Sequence, residues 1–126
     1  MKRFAAALVV FALAASAAIS SHLLVNYQIE ELKKEAAATM QAAEDKDKPQ
    51  AQASLDSLRR SWEKADTALH MFVVHREMSE IELTIRALDE YLAGGDWELF
   101  REGSVRLLEA LEHMRHSQEI SFGNVF

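Results

Sequence analysis

The residue types in this chain that could do chemistry are a histidine and several carboxylates in one short stretch. Within eight residues lie His75, Glu77, Glu80 and Glu82. On a helix, His75 and Glu82 lie on similar faces two turns apart. Imidazole and carboxylate groups bind zinc, iron or manganese, especially where a further helix adds ligands, here Glu112, His113 or His116. His75, Glu77 and Glu82 are therefore weak candidates for metal ligands.

A structural role for the same residues is the alternative, and we favour it. The sequence contains neither a His-Glu-x-x-His element nor a pair of Glu-x-x-His elements, which are the arrangements that place metal ligands on helices. In this interpretation His75 packs at a bend and hydrogen-bonds a carboxylate or a helix end, while the glutamates are solvated or pair with Arg76 and Arg86. The sequence therefore predicts no metal ligand and no cofactor.

Catalytic motifs are absent as well. The chain has no cysteine, its serines lack a Gly-x-Ser-x-Gly element, and the pair Gly94-Gly95 is too short for a phosphate-binding loop. We therefore predict no catalytic residue and no enzymatic activity. Trp62 and Trp97 are candidates for a partner surface, although aromatic residues at helical spacing more often belong to a core.

The N-terminal segment has the composition of a membrane anchor. Lys2 and Arg3 precede an apolar run from Phe4 to Val25 in which His22 is the one titratable side chain. As a helix this run spans about 33 Å, against a hydrocarbon core of roughly 30 Å. Its ten strongly apolar residues favour insertion by roughly 3 to 6 kcal/mol. We therefore interpret residues 1–25 as a transmembrane segment and residues 26–126 as the domain that it anchors.

A cleaved signal peptide is the alternative for the same segment. Basic residues, an apolar core from Phe4 to Ala14 and the small triplet Ala15-Ser16-Ala17 match the three parts of such a peptide. Apolar character resumes at Leu23-Leu24-Val25, beyond that point, where a secreted protein does not require it. We favour the uncleaved anchor, with secretion after cleavage as the alternative.

Charge determines the expected orientation and excludes one class of partner. Lys and Arg stay on the cytoplasmic side, so the domain is expected outside the cytoplasm. The formal net charge is −6 for the whole chain, and without Lys2 and Arg3 it is −8. Because nucleic-acid phosphates are repelled by such a surface, we expect no nucleic-acid partner.

Hydrophobic periodicity beyond Val25 predicts an all-α domain. Residues 26–44 continue as a helix with a thin, alanine-rich apolar face, and the run 45–49 ends in the one proline and predicts a turn. A second stripe comprises Leu55, Leu58, Trp62, Ala65, Leu69 and Phe72. A third, shifted in phase, comprises Val74, Met78, Ile81, Ile85, Leu88 and Leu92. The shift predicts a bend at Val73 to His75, with one uninterrupted helix over 50–93 as the alternative.

The last helix is predicted from Trp97 to about His116, after a boundary at Ala93-Gly94-Gly95-Asp96. Residues 117–126 lose helical periodicity and are predicted to pack back on the domain. The helices form two αα-hairpins, 27–73 and 75–117, and a weak 52-residue offset relates their sequences, as in the pair Ile29 and Ile81. The predicted fold is a small antiparallel helical bundle after a transmembrane helix, with tetratricopeptide-like stacking as the alternative packing.

Several short motifs give the chain a family resemblance. They are Trp62-Glu63-Lys64, His75-Arg76-Glu77, Ile81-Glu82 and Asn124-Val125-Phe126, placed after a basic start and one membrane segment. In this layout the chain resembles the domain of unknown function 4363, small anchored helical proteins of Clostridia-like bacteria. The resemblance implies a single-pass extracytoplasmic helical protein and no activity.

Two hypotheses for the function follow. The first is a membrane-anchored interaction or scaffold module on the outer face of the cytoplasmic membrane, which binds another envelope protein or its own copy. The second is a metal-binding or small-ligand-binding domain built on His75 and the neighbouring glutamates.

Overall fold

Four helices make up the described part of the chain. A computed structural model describes the backbone of residues 1–72 and 75–125, and their side chains except at 68, 71, 72, 75, 119–122, 124 and 125. The helices are α1 (Lys2–Asp45), α2 (Lys48–Phe72), α3 (His75–Ala93) and α4 (Trp97–Val125). No strand occurs in these residues. The predicted all-α class, with a long apolar N-terminal helix followed by a helical bundle, is confirmed.

Ion pairs between α1 and α4 define an antiparallel register. Glu44 Oε1 lies 3.5 Å from Arg101 Nε, Lys33 pairs with Glu112, and Glu30 Oε1 lies 3.1 Å from Arg115. In each of the three pairs the two residue numbers add up to 145, so the register holds along this whole contact. The C-terminal half of α1 therefore packs lengthwise against α4.

The remaining contacts close the four helices into a bundle. Arg59 pairs with Asp89, which makes α2 and α3 antiparallel, and Glu77 contacts His113 between α3 and α4. Within residues 1–72 and 75–125, α1 packs on α2 and α4, α3 packs on the same two helices, and neither diagonal pair is in contact. This is an up-down-up-down bundle of two hairpins. The tetratricopeptide-like alternative is wrong, because stacked hairpins would leave α1 and α4 apart.

The core is formed by one apolar stripe from each helix, as the periodicity predicts. The stripes of α2 and α3 are buried at every predicted position whose side chain is described. On α1 burial begins at Val25, which is 1% exposed. The largest side chains with less than 2% exposure are Phe100, Ile29, Leu32, Leu55, Leu58, Leu69, Ile81, Leu88, Leu107, Leu111, Met114 and Val25.

Both described turns lie where the sequence predicts them, and the second also has the predicted chemistry. Lys46 ends α1 in the left-handed conformation with φ 51°, and the Asp47 carboxylate accepts the Gln50 N–H at 3.2 Å to cap α2. At the other turn Gly95 has φ 69°, and Asp96 accepts the Leu99 N–H at 3.1 Å to cap α4. The predicted glycine and capping carboxylate are thus confirmed at Gly95 and Asp96, while Lys46 and Asp47 take these positions at the first turn.

Replacing Lys46 by glycine is expected to stabilise the bundle. A residue with a Cβ in the left-handed region is strained, and glycine relieves this strain at some cost in unfolded-chain entropy. We expect a gain of roughly 0.5 to 1 kcal/mol in the free energy of unfolding, measured by urea titration in detergent. The matched variant Gly95→Ala, at φ 69°, should lose a similar amount. A loss from Lys46→Gly would contradict the assigned turn.

Two predictions about helix ends have different outcomes. The bend at Val73 to His75 falls partly on Val73 and Val74, which lie outside the described residues, and the described chain on either side forms two antiparallel helices. The predicted end of the last helix near His116 is wrong, since α4 continues to Val125. Residues 117–125 contain no proline, so nothing in the backbone interrupts the helix when the apolar stripe fades.

Candidate functional site: the membrane segment and the bundle surface

The first half of α1 exposes apolar side chains that no described part of the chain covers. Phe4, Phe11 and Leu13 are 73%, 68% and 66% exposed. α1 contains an apolar stretch long enough to cross a membrane, and only 6% of that stretch is buried. A signal sequence near the N-terminus shares this length and composition. The exposed segment is the most distinctive surface of the molecule.

The helix does not break where this segment meets the bundle. Val25 is a core residue, and one turn earlier His22 is hydrogen-bonded to Asn26 at 3.2 Å. Tyr27 is 65% exposed beside this junction. A shallow groove of about 310 Å³ runs between α1 and α2 at this level. It is lined by Leu24, Tyr27, Gln28, Glu31, Ser61, Lys64 and Ala65.

The structure separates two of the candidate metal ligands, Glu77 and Glu82, from each other. The side chain of His75 lies outside the described residues. Glu77 is directed towards α4, where its Oε1 is 3.5 Å from His113 Nε2 and accepts a 3.4 Å hydrogen bond from Ser117. Glu82 instead accepts a 2.9 Å hydrogen bond from Arg86 on the surface of α3. Among the described side chains, no three His, Asp or Glu residues form a group that could hold a metal ion.

Two further candidate ligands on α4 are divided between its neighbours. His113 approaches Glu77 in an open cleft of about 220 Å³, which also contains Glu80, Arg106 and Glu109. Glu112 pairs with Lys33 on α1, and the Lys33 ammonium holds the pKa of Glu112 below its usual range. The contact between His113 and Glu77 lies at the surface, where even a fully charged pair contributes little to stability.

The two tryptophans pack inside the molecule to different extents. Trp62 is 5% exposed and belongs to the core, so its side chain offers almost no surface to a partner. Trp97 is partly buried against the core and meets Phe100 edge to face, with ring centroids 6.0 Å apart. Of the two predicted partner residues, only Trp97 contributes to the surface.

Sequence reasoning missed the polar contacts between α1 and its two neighbours. Thr39 Oγ1 lies 2.6 Å from the Ala36 carbonyl oxygen, to which it donates, and 3.1 Å from Ser104 Oγ on α4, and both side chains are fully buried. Ser104 in turn donates to the Phe100 carbonyl at 2.9 Å. Ser61 donates to Glu35 Oε1 at 2.7 Å between α1 and α2. The spacing of Thr39 after Val25, Ile29, Leu32 and Ala36 was the available signal that it is buried.

Replacing Glu35 by glutamine is expected to stabilise the protein near neutral pH. Burial raises the pKa of Glu35, the hydrogen bond from Ser61 opposes this, and the nearby charge of Glu31 adds to the rise. The folded state therefore holds the proton more tightly than the unfolded state, so stability falls as pH rises from the ordinary carboxyl pKa through the raised one. Glu35→Gln removes this loss and keeps an oxygen acceptor for Ser61.

Thermal unfolding at about pH 4 and about pH 7.5 tests whether Glu35 lowers the stability of the protein as pH rises. Glu35→Gln should have a higher midpoint temperature of unfolding than the unchanged protein at the higher pH. The difference between the two proteins should be smaller at the lower pH. Glu63→Gln, at an exposed position on α2, makes the same change of net charge and is the control. Equal effects of the two variants would show that burial of Glu35 is not the cause.

Comparison with known proteins identifies a family without an assigned function. A family model described as "Domain of unknown function (DUF4363)" matches residues 19–125, which include the end of the apolar segment and the whole bundle. No curated protein and no solved structure matches the chain.

Proposed function

Because the chain belongs to the DUF4363 family, whose description assigns no function, we propose a role from its architecture. The protein is a single-pass membrane protein that displays a small helical bundle on the outer face of the cytoplasmic membrane. The bundle is a protein–protein interaction or scaffold module, without catalytic activity, for an envelope protein or a second copy. The observation that carries this proposal is the exposed apolar half of α1.

We expect lipid to bury the exposed apolar side chains in that half of α1. Its side chains from Phe4 to Leu24 are mostly exposed, whereas the same helix is buried in the core from Val25 onward. Contiguous apolar surface of this extent is rare on soluble monomers. Leu23 and Leu24, next to the bundle, are 61% and 49% exposed. This favours an uncleaved anchor over secretion, because a released bundle would carry these apolar side chains into water.

Orientation follows from the basic start. Lys2 and Arg3 precede the apolar segment and resist translocation. The bundle then lies outside the cytoplasm and presents a formal charge of −8. An acidic helical surface without a convergent group of catalytic or metal-binding side chains in its described part suits binding to another protein better than chemistry on a small molecule.

Protease treatment and mass measurement test the location. In spheroplasts, added protease should digest the bundle without lysis, and the intact protein should remain in the membrane after alkaline carbonate extraction. Digestion only after lysis would overturn the orientation. A mature chain that begins near Ala18 or Ser21 would replace the anchor by secretion.

The interaction role is tested by the assembly state. Light scattering of the detergent-solubilised protein, and site-specific cross-linking from the bundle surface in intact cells, should detect a second copy or a defined envelope protein. A strictly monomeric protein that gives no cross-linked product from any face would contradict a scaffold role.

A further inference from the structure

One end of the bundle faces the membrane segment. Both described turns, at Lys46–Asp47 and Gly94–Asp96, lie at the opposite end from Val25. The antiparallel arrangement therefore places the C-terminal ends of α2 and α4 and the start of α3 beside the point where α1 leaves the bundle. We call this the proximal end, defined by Val25, Phe72, His75 and residues 117–125.

α4 extends beyond this end, alongside the apolar segment. The three ion pairs between α1 and α4 share a register in which residue numbers add up to 145. Since α4 is helical to Val125, that register places Val125 level with Ser20. The end of α4 is thus five residues past Val25, or about 7 Å further along the α1 axis.

The burial pattern of α1 agrees with this register. Ala15, Ala18, Ser21 and His22 are partly covered, while most neighbouring side chains from Phe4 to Leu24 are exposed. Their spacing continues the face that becomes the core stripe at Val25 and Ile29. The partly covered face of α1 therefore continues towards the N-terminus on the side that packs in the bundle.

The sequence of the end of α4 is largely apolar. Residues 117–125 contain one charged residue, Glu119, together with Ile120, Phe122 and Val125. Tyr27, at the same level on α1, is 65% exposed, and tyrosine is enriched at the boundary between lipid and water.

We infer that the proximal end is a lipid-binding surface, with the end of α4 lying in the interfacial layer of the membrane that α1 crosses. This inference rests on the proposed function. Lipid is the occupant because the surface is continuous with the anchor, and the end of α4 is level with Ser20 of the apolar segment. The bundle consequently sits directly on the bilayer, held at α1 and again at α4.

Fluorescent probes at single cysteines test this contact in the full-length protein, because the native chain has no cysteine. Gly123→Cys places the probe near the end of α4, at an exposed position where a Cβ meets nothing within 4 Å. Ser20→Cys reports on the anchor itself. Ala93→Cys, exposed at the opposite end of the bundle, is the control. Each labelled variant is reconstituted in phosphatidylcholine and phosphatidylglycerol vesicles that contain lipids carrying a nitroxide quencher near the headgroup.

Quenching at Gly123 should approach that at Ser20, while fluorescence at Ala93 should be unchanged. If Ser20 is quenched and Gly123 behaves like Ala93, the lipid contact of α4 is overturned and the anchor stands. If neither Ser20 nor Gly123 is quenched, the anchor fails and this inference fails with it. Circular dichroism of each variant verifies that helix content is retained.

Discussion

Replacing Leu13 by arginine is expected to remove most of the protein from the membrane fraction. Leu13 lies near the middle of the apolar segment and is 66% exposed. An arginine there costs about 2.5 to 3.5 kcal/mol, and the contribution of the leucine is lost as well. The change of about 3 to 4 kcal/mol is comparable to the roughly 3 to 6 kcal/mol that favours insertion of the whole segment.

The experiment compares membrane and soluble fractions after alkaline extraction. Leu83→Arg is the matched control, because Leu83 is 65% exposed on α3 within the bundle and should tolerate a charge without leaving the membrane. The bundle should keep its fold in both variants, since neither leucine belongs to the core. Retention of Leu13→Arg in the membrane at the level of the control would show that this half of α1 is not in lipid.

Replacing Phe100 by alanine is expected to be the most destabilising single change in the bundle. Phe100 is fully buried, and its ring contacts Trp97 edge to face. Truncating a buried phenylalanine costs about 3 to 5 kcal/mol through lost apolar burial and the cavity left behind. A domain of this size has a free energy of unfolding of roughly 5 to 15 kcal/mol, so the substitution would remove a large part of it.

Urea unfolding in detergent, followed by circular dichroism, measures this loss. Leu99→Ala is the control, because Leu99 is the adjacent residue and is 40% exposed. It should change the free energy of unfolding by no more than about 0.5 kcal/mol. Similar losses for Phe100→Ala and Leu99→Ala would contradict the assigned face of α4.

Local signals in the sequence predict the helices and their buried faces well. The stripes of α2 and α3, and the cap at Asp96, depend on residues within a few positions of one another. The end of α4 could not be predicted in this way. α4 is helical to Val125 although Gly123 has a low helix propensity, and by the register with α1 the residues after 120 run past Val25, where the core begins.

Which helices contact each other depends on residues far apart in the chain. The thin, alanine-rich face of α1 does not indicate a partner helix, yet α1 packs on α4 at small residues that include Thr39 and Ser104. The contacts Lys33–Glu112 and Glu77–His113 each join residues many turns apart. Hydrophobic periodicity identifies a buried face but not the helix that packs on it. The closed bundle and the Glu77–His113 contact could therefore not be predicted from the sequence.

The uninterrupted course of α1 has a mechanical consequence. Its 44 residues form a rod of about 66 Å, and they include neither glycine nor proline, the usual causes of a sharp kink. Because one half of this rod is an integral member of the bundle, the anchor and the bundle cannot swivel independently. Any tilt or rotation imposed on the helix within the bilayer would turn the whole bundle by the same angle. The bundle would therefore keep one orientation relative to the membrane helix when a partner binds.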